Sequence, residues 1–316
     1  MSDFLHNDPE FKELLSIVSF EKGIDISLVE KDYWIMHALY GLNKQGIEFE
    51  LKGGTSLSKG FGLINRFSED IDIHIKTNYG LEIEGKEDKP KVKEARKAFY
   101  DRLAQEIKID GIVKVERDTE FDDTHKYRSG GIRLHFTTYT QALAGIKDGI
   151  LLEVGFDTVS PNRPIDISSW VLDYAKSLNE SFEYIDNKAK AVFCYLPGYA
   201  FVEKLQTIVN KYRKYSEGAI KLQNFIRHYY DIYCLLNDTN VLSFIGTTEY
   251  LSHKNKRFHG ADKDIPLPEH PALLLPDIEI RKSFIQRYRE SAHLYYKGQP
   301  DFEIILALIK DNIQKF

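Results

Sequence analysis

Cysteine, methionine and tryptophan each occur only twice in the 316 residues. Neither Cys194 nor Cys234 has a metal-ligand spacing or a disulfide framework around it, which fits a chain of the reducing cytosol. No His-x-x-x-His or Cys-x-x-Cys pair is present, so the common zinc spacings are excluded. Gly-x-x-x-x-Gly-Lys-Ser/Thr, Gly-x-Gly-x-x-Gly and Gly-x-Ser-x-Gly are missing as well, excluding a Walker A loop, a dinucleotide fingerprint and a nucleophile elbow. No apolar run calls for a membrane span, and the opening MSDFLHNDPEFKELL has no basic stretch leading into an apolar one, so no secretory signal is expected. An excess of one charge is also lacking. Forty-three Lys and Arg against 48 Asp and Glu leave a net charge of −5, so an RNA ligand would need a local basic patch.

What the chain does have is the length for about two domains and a change of pattern along it. Ser27-x-x-Glu30 reads as a capping box opening a helix that Gly41 or Gly46 would end. Ile47, Phe49 and Leu51 alternate with Glu48, Glu50 and Lys52 as in a half-buried strand. Ser56 to Asn65 reads as a short helix, Asp70 to Lys76 as a strand, residues 77 to 93 as a polar connection, and Val92 to Ile107 as a helix. Strand-like runs follow at Gly111–Arg117, Gly131–Thr138 and Gly149–Phe156. From Tyr199 onward the spacing is helical, through FVEKLQTIVNKY, KLQNFIRHYYDIYCLL, IRKSFIQRYRESAHLYY and FEIILALIKDNI. The change falls near Leu196-Pro197-Gly198, giving expected domains 1–196 and 197–316.

The densest chemistry lies in LKGGTSLSKGFGLINRFSEDIDIHIK, residues 51 to 76. On a strand, Asp70 and Asp72 project from one face while Ile71, Ile73 and Ile75 enter the core. Two convergent carboxylates suit a divalent cation, and the glycines upstream let backbone N–H groups approach an anion. A lone Asp-x-Asp is common and an acidic run is often a solvated turn. The combination Gly53-Gly54-Thr55-Ser56-Leu57-Ser58-Lys59 with Arg66-Phe67-Ser68-Glu69-Asp70-Ile71-Asp72-Ile73 is specific, however. It resembles the signature of the DNA polymerase β nucleotidyltransferase superfamily, and most closely its AbiEii-type toxin branch.

The resemblance implies an α+β fold: a polymerase-β-like nucleotidyltransferase domain with a mixed sheet and flanking helices, then a C-terminal helical bundle that closes a nucleotide cleft. It implies a third carboxylate from a neighbouring strand, for which Glu153 in GILLEVGFD is the candidate, with Asp157 on the same face past the strand end. Asp70, Asp72 and Glu153 would then hold Mg²⁺ or Mn²⁺. The lesser alternative for Glu153 is an edge-strand carboxylate facing water. By composition Lys204 is a solvated lysine and Asp231 a capping partner; the resemblance makes them catalytic, Lys204 being a point cation for the triphosphate. His228 stands where many relatives carry an Asp, and its role stays open. Gly53, Gly54, Thr55, Ser56, Lys59, Arg66 and Lys204 are the expected nucleotide contacts. Ser58 is a further hydroxyl in the turn. The basic stretch His253 to His259 reads as a solvated loop or an RNA grip.

The expected activity is transfer of a nucleoside monophosphate from an NTP to an acceptor hydroxyl. The family implies an RNA acceptor such as the 3′ end of tRNA, a cognate antitoxin protein, and a role as toxin of a toxin–antitoxin or phage-defence system in the cytoplasm. A metal-dependent nuclease and a non-catalytic nucleotide- or RNA-binding module are the alternatives.

Overall fold

Apolar residues alternating with charged ones at 49–52 and 70–75 form adjacent strands in the middle of a seven-stranded mixed sheet. The computed structural model describes residues 3–76, 80–81, 89–141, 146–157, 159–178, 182–222 and 225–316. Two units emerge, Met1–Gly60 with Ser68–Tyr195 and Phe61–Phe67 with Leu196–Phe316. Residues 61–67, assigned to the first domain on sequence, thus belong with the helical unit.

The first unit runs α1 (Phe11–Lys22), α2 (Ile26–Lys44), β1 (Phe49–Lys52), α3 (Gly53–Thr55), β2 (Asp70–Ile75), α4 (Pro90–Glu106), β3 (Ile112–Asp118), β4 (Ser129–Phe136), β5 (Ile150–Gly155), β6 (Asn162–Ile167), α5 (Trp170–Leu178) and β7 (Ala189–Tyr195). Strand order is β3-β4-β5-β2-β1-β7-β6. The β2/β5 and β1/β7 pairs are parallel and the others antiparallel. Leu51, Ile71, Ile73, Leu152 and Val154 are fully buried on the sheet's inner side. The second unit contains α6 (Pro197–Ser216), α7 (Arg227–Leu236), α8 (Thr239–Phe244), α9 (Thr248–Arg257), α10 (Pro271–Leu274), α11 (Ile278–Glu290) and α12 (Phe302–Asn312). A mixed sheet with flanking helices, followed by C-terminal helices, is the expected α+β class. Among the described residues no helix is long and apolar enough to cross a membrane.

Several local expectations change. Asp25, not Ser27, caps α2, because its short carboxylate reaches the Ser27 N–H at 2.8 Å. Glu30 instead lies buried and accepts from the hydroxyls of Thr138 and Thr140 and from the Tyr139 N–H. Gly46, at φ +74°, follows the helix end, whereas Gly41 stays inside it, where a Cβ would come within 2.5 Å of Ile109. The expected helix over 56–65 stops at Gly60, as a helical turn from Gly53 continued by a π-turn at Ser56–Gly60. The basic stretch from His253 forms the end of α9 rather than a loop. Much of the expected connection over 77–93 falls on residues 77–79 and 82–88, outside those described, and its last part opens α4. Residues 223–224 of the expected helix over 221–236 are likewise outside them, and α7 begins only at Arg227.

Helix α2 packs on α1, α5 and β7, and it carries a buried polar network. Asn187 Nδ2 donates to Tyr33 Oη (3.0 Å) and to His37 Nδ1 (2.9 Å), and His37 Nε2 donates to the Asp110 carbonyl (2.9 Å). The Tyr33 hydroxyl donates to His6 Nδ1 at 2.8 Å, and His6 Nε2 meets Asp110 Oδ1 at 3.2 Å. Burial, with the neighbouring His6 adding to it, depresses the His37 pKa to about 4, and burial lowers His6 too. In the unfolded chain a histidine takes up its proton near 6.5, so the unfolded state binds more protons between the two values, and stability is lost as pH falls from about 6.5 toward 4. We expect His37 alone to cost about 2 kcal/mol by pH 5. Urea unfolding at pH 7.5 and pH 5 measures this, and His37→Gln should flatten the pH dependence by about one proton.

Candidate functional site

The β2/β5 register sets the carboxylates. Asp72 pairs with Glu153 and Asp70 with Leu151 across a parallel ladder, so all four side chains leave one face of the sheet. Across the antiparallel β1/β2 pair, Lys52 stands opposite Asp72 and joins the same face. Its Nζ lies 3.8 Å from Asp157 Oδ2. Asp70 is buried, whereas Asp72, Glu153 and Lys52 are half-buried. The structure therefore brings the three expected carboxylates onto one face of two adjoining strands.

The double glycine shapes the edge of that face. Gly53 adopts φ +72°, and a Cβ there would lie 1.8 Å from Asp72 Oδ2. Only glycine meets both demands. From Gly53 the chain enters its helical turn, whose first N–H groups have no intrahelical acceptor. This end is suited by geometry and dipole to an anion. The hydroxyls expected to face a nucleotide turn inward instead. Thr55 Oγ1 donates to the Asp70 carbonyl at 2.5 Å, tying the turn to the start of β2. Ser56 is buried beside the Cys194 thiol, and Ser58 Oγ lies 3.5 Å from the Thr55 carbonyl. Lys59 is paired with the buried Asp32 of α2, which also accepts from the Trp170 N–H at 2.8 Å. Burial raises the Asp32 carboxyl even with Lys59 beside it.

Sequence reasoning passed over Lys147. Its Nζ donates to both oxygens of Asp70, at 2.9 and 3.0 Å. Glu69, the signature residue before Asp70, accepts from the Lys147 backbone N–H at 2.9 Å and from the buried Lys31 ammonium at 3.4 Å. A lysine in a glycine-bearing stretch before a strand carries no signal of its own in one sequence. Only the parallel register places it beside β2. Among the described residues, no group of three or more His, Cys, Asp or Glu side chains is arranged to hold a metal ion as it stands. The donor chemistry nevertheless fits a hard divalent cation: Asp70, Asp72 and Glu153 offer only carboxylate oxygens from a shared face, and a cation, the Lys147 ammonium, already lies on Asp70.

In the second unit, Arg66, Lys204 and Asp231 meet. Arg66 donates bidentately to Asp231, Nε to Oδ1 at 2.7 Å and Nη2 to Oδ2 at 2.8 Å. Lys204 Nζ from α6 lies 2.7 Å from Asp231 Oδ2 on α7. The segment carrying Arg66 is fastened by an antiparallel bridge to Tyr295, and by N–H bonds from Phe67 to the Leu294 carbonyl and from Tyr296 to the Asn65 carbonyl. Burial alone would raise the Asp231 carboxyl, but the Arg66 guanidinium and the Lys204 ammonium hold it well below the usual carboxylate range. Burial lowers the Lys204 ammonium against the pull of Asp231, and depresses His228, whose Nδ1 lies 3.8 Å from Asp231 Oδ2. His228 is neutral at pH 7, so two cations face one anion. Arg66 and Lys59, both expected at a nucleotide, are thus each engaged by a buried carboxylate.

Removing the Asp231 charge leaves those two cations uncompensated. Asp231→Asn should destabilise the protein by about 3–5 kcal/mol. Lys204→Met should cost less, because the Arg66 pair remains. Urea denaturation followed by circular dichroism compares the two.

The comparisons with known proteins agree with this geometry on one point. No curated protein and no solved structure matches the chain. The family model described as "Nucleotidyl transferase AbiEii toxin, Type IV TA system" matches residues 36–308, which takes in the glycine turn, all three carboxylates and the Arg66–Lys204–Asp231 cluster. The chain belongs to the AbiEii family of nucleotidyl transferase toxins of type IV toxin–antitoxin systems.

Proposed function

We propose that this nucleotidyltransferase moves a nucleoside monophosphate from an NTP to an RNA hydroxyl, with the 3′ end of tRNA as acceptor and release of pyrophosphate. The observation that carries the reading is the Asp72–Glu153 register, with Asp70 on the same face and the Gly53-Gly54 turn at its edge. Asp70, Asp72 and Glu153 are the residues that would hold Mg²⁺ or Mn²⁺. A divalent ion there supplies charge neutralisation on the phosphates and a more acidic acceptor hydroxyl.

The chain's own groups do the rest. The N–H groups of the turn at Gly53 and Gly54 point their partial positive charge at phosphate oxygens. Thr55, through the Asp70 carbonyl, holds the turn and the carboxylates in fixed relation. Lys52 adds positive charge on the same face, limiting repulsion between the carboxylates and an anionic substrate. In the second unit Lys204 serves as a point cation for nucleotide phosphate, oriented by Asp231. Arg66 acts through Asp231 as a positioning residue. The protein acts as the toxin of a toxin–antitoxin pair with phage defence as its setting, in the cytoplasm, where NTP and tRNA are available, and a cognate antitoxin protein is its partner.

The test is incubation of the purified protein with Mg²⁺, each radiolabelled NTP in turn and total bacterial RNA. One NTP should label a tRNA-sized band. Asp70→Asn and Asp72→Asn should each lower the labelling rate by at least about 100-fold with unchanged circular dichroism. Undiminished labelling removes the metal assignment, and loss of RNA without any NTP replaces transfer by hydrolysis.

A further inference from the structure

The Lys147 ammonium occupies both oxygens of a carboxylate that the proposed metal would need. It lies 2.9 and 3.0 Å from them and 4.4 Å from the centre of the Phe121 ring. The residue is fastened at its backbone as well: its N–H donates to Glu69, its carbonyl accepts from the buried Lys31 ammonium, and Lys31 reaches the same Glu69 oxygen. Glu69 and Asp70 are consecutive, so one short piece of β2 and its approach holds Lys147 by main chain and by side chain together. A chance surface lysine has none of these anchors.

We propose that Lys147 is a built-in competitor for the cation seat on Asp70, a tethered ammonium that holds the carboxylate in place and has to leave before a divalent ion can take the same oxygens. The inference rests on the metal reading above. Its physical basis is repulsion: an ammonium hydrogen-bonded to both oxygens and a divalent ion bound to either would stand within a few ångströms of each other, where water screens like charges only in part. The ion therefore binds only by displacing the lysine. Lys147 thereby raises the metal concentration that the enzyme requires, and the signature glutamate acquires a purpose, as the anchor of the competitor rather than a ligand.

Isothermal titration of the full-length protein with Mg²⁺, and separately Mn²⁺, without nucleotide, tests this independently of activity. Lys147→Met should bind the ion about five- to tenfold more tightly than wild type, the range that loss of one partly exposed ion pair allows. Lys147→Gln, which keeps the length of the side chain and removes its charge, should shift in the same direction. Lys147→Arg should stay near wild type, and Asp70→Asn should lose the binding. Thermal midpoints without metal show that each variant is folded. Unchanged or weaker affinity in both neutral variants, with binding that Asp70→Asn abolishes, overturns the competitor and leaves the metal site standing. Absence of Asp70-dependent binding in every protein overturns both.

Discussion

Carboxylates drawn into a protein interior lose hydration, so each must be met by a cation or a donor that the fold itself supplies. That requirement recurs throughout this protein. Asp70 is met by Lys147, Glu69 by Lys31, Asp32 by Lys59, and Asp231 by Arg66 and Lys204. Glu50 is the same case on β1: burial would raise its carboxyl, yet His74, Asn162 and Lys76 bring it below the ordinary value. Buried pairs of this kind add little net stability relative to apolar packing. What they do is fix which residue stands where. The sheet can present acidic side chains in a chosen register because counter-charges arrive from the stretch before β5, where Lys147 meets Asp70, and from α2, where Lys31 meets Glu69 just ahead of β2.

The same constraint explains how the signature motif is divided. Its glycines and aspartates shape the acidic face, while its other polar residues turn to protein partners: Thr55 to the Asp70 carbonyl, Glu69 to the Lys147 N–H, Lys59 to Asp32 and Arg66 to Asp231. Asp70 is gripped from both sides, its carbonyl by Thr55 and its carboxylate by Lys147. Precise placement of a reacting group is worth more than an additional contact when geometry governs the rate.

Strands β1, β2 and β5 were legible because half-buried strands alternate apolar and polar side chains, and the pairing of Asp70 with Asp72 follows from that alternation alone. Glu153 was legible as a same-face candidate, since it sits two residues from Leu151 on a strand of the same kind. The partners were not legible. Lys59 finds Asp32 at a separation of 27 residues and Arg66 finds Asp231 at 165, and no local pattern encodes either meeting. Strands β6 and β7 and helix α5 left weak signals: β6 contains Pro164 at the sheet edge, and β7 exposes Phe193 among its buried residues. The basic stretch of α9 looked like a grip for RNA because its charges are clustered. In the folded chain Lys254 donates to the Phe316 carbonyl and Arg257 approaches Glu203, so part of that charge is already committed.

Residues 61–67 leave the first unit, supply Arg66 to the second, and return to begin β2. On the ribosome this detour has a cost in time. Arg66 is made 165 residues before Asp231, and at a synthesis rate of about 5–20 residues per second the guanidinium waits roughly 10 to 30 seconds for its counter-ion. The helical unit cannot be finished from its own contiguous sequence, nor can a fragment that begins at Leu196 contain all of it. A gene divided between the two would leave the residues of the first unit together but strip the second of Arg66, so this toxin is a single hereditary piece despite its two compact bodies.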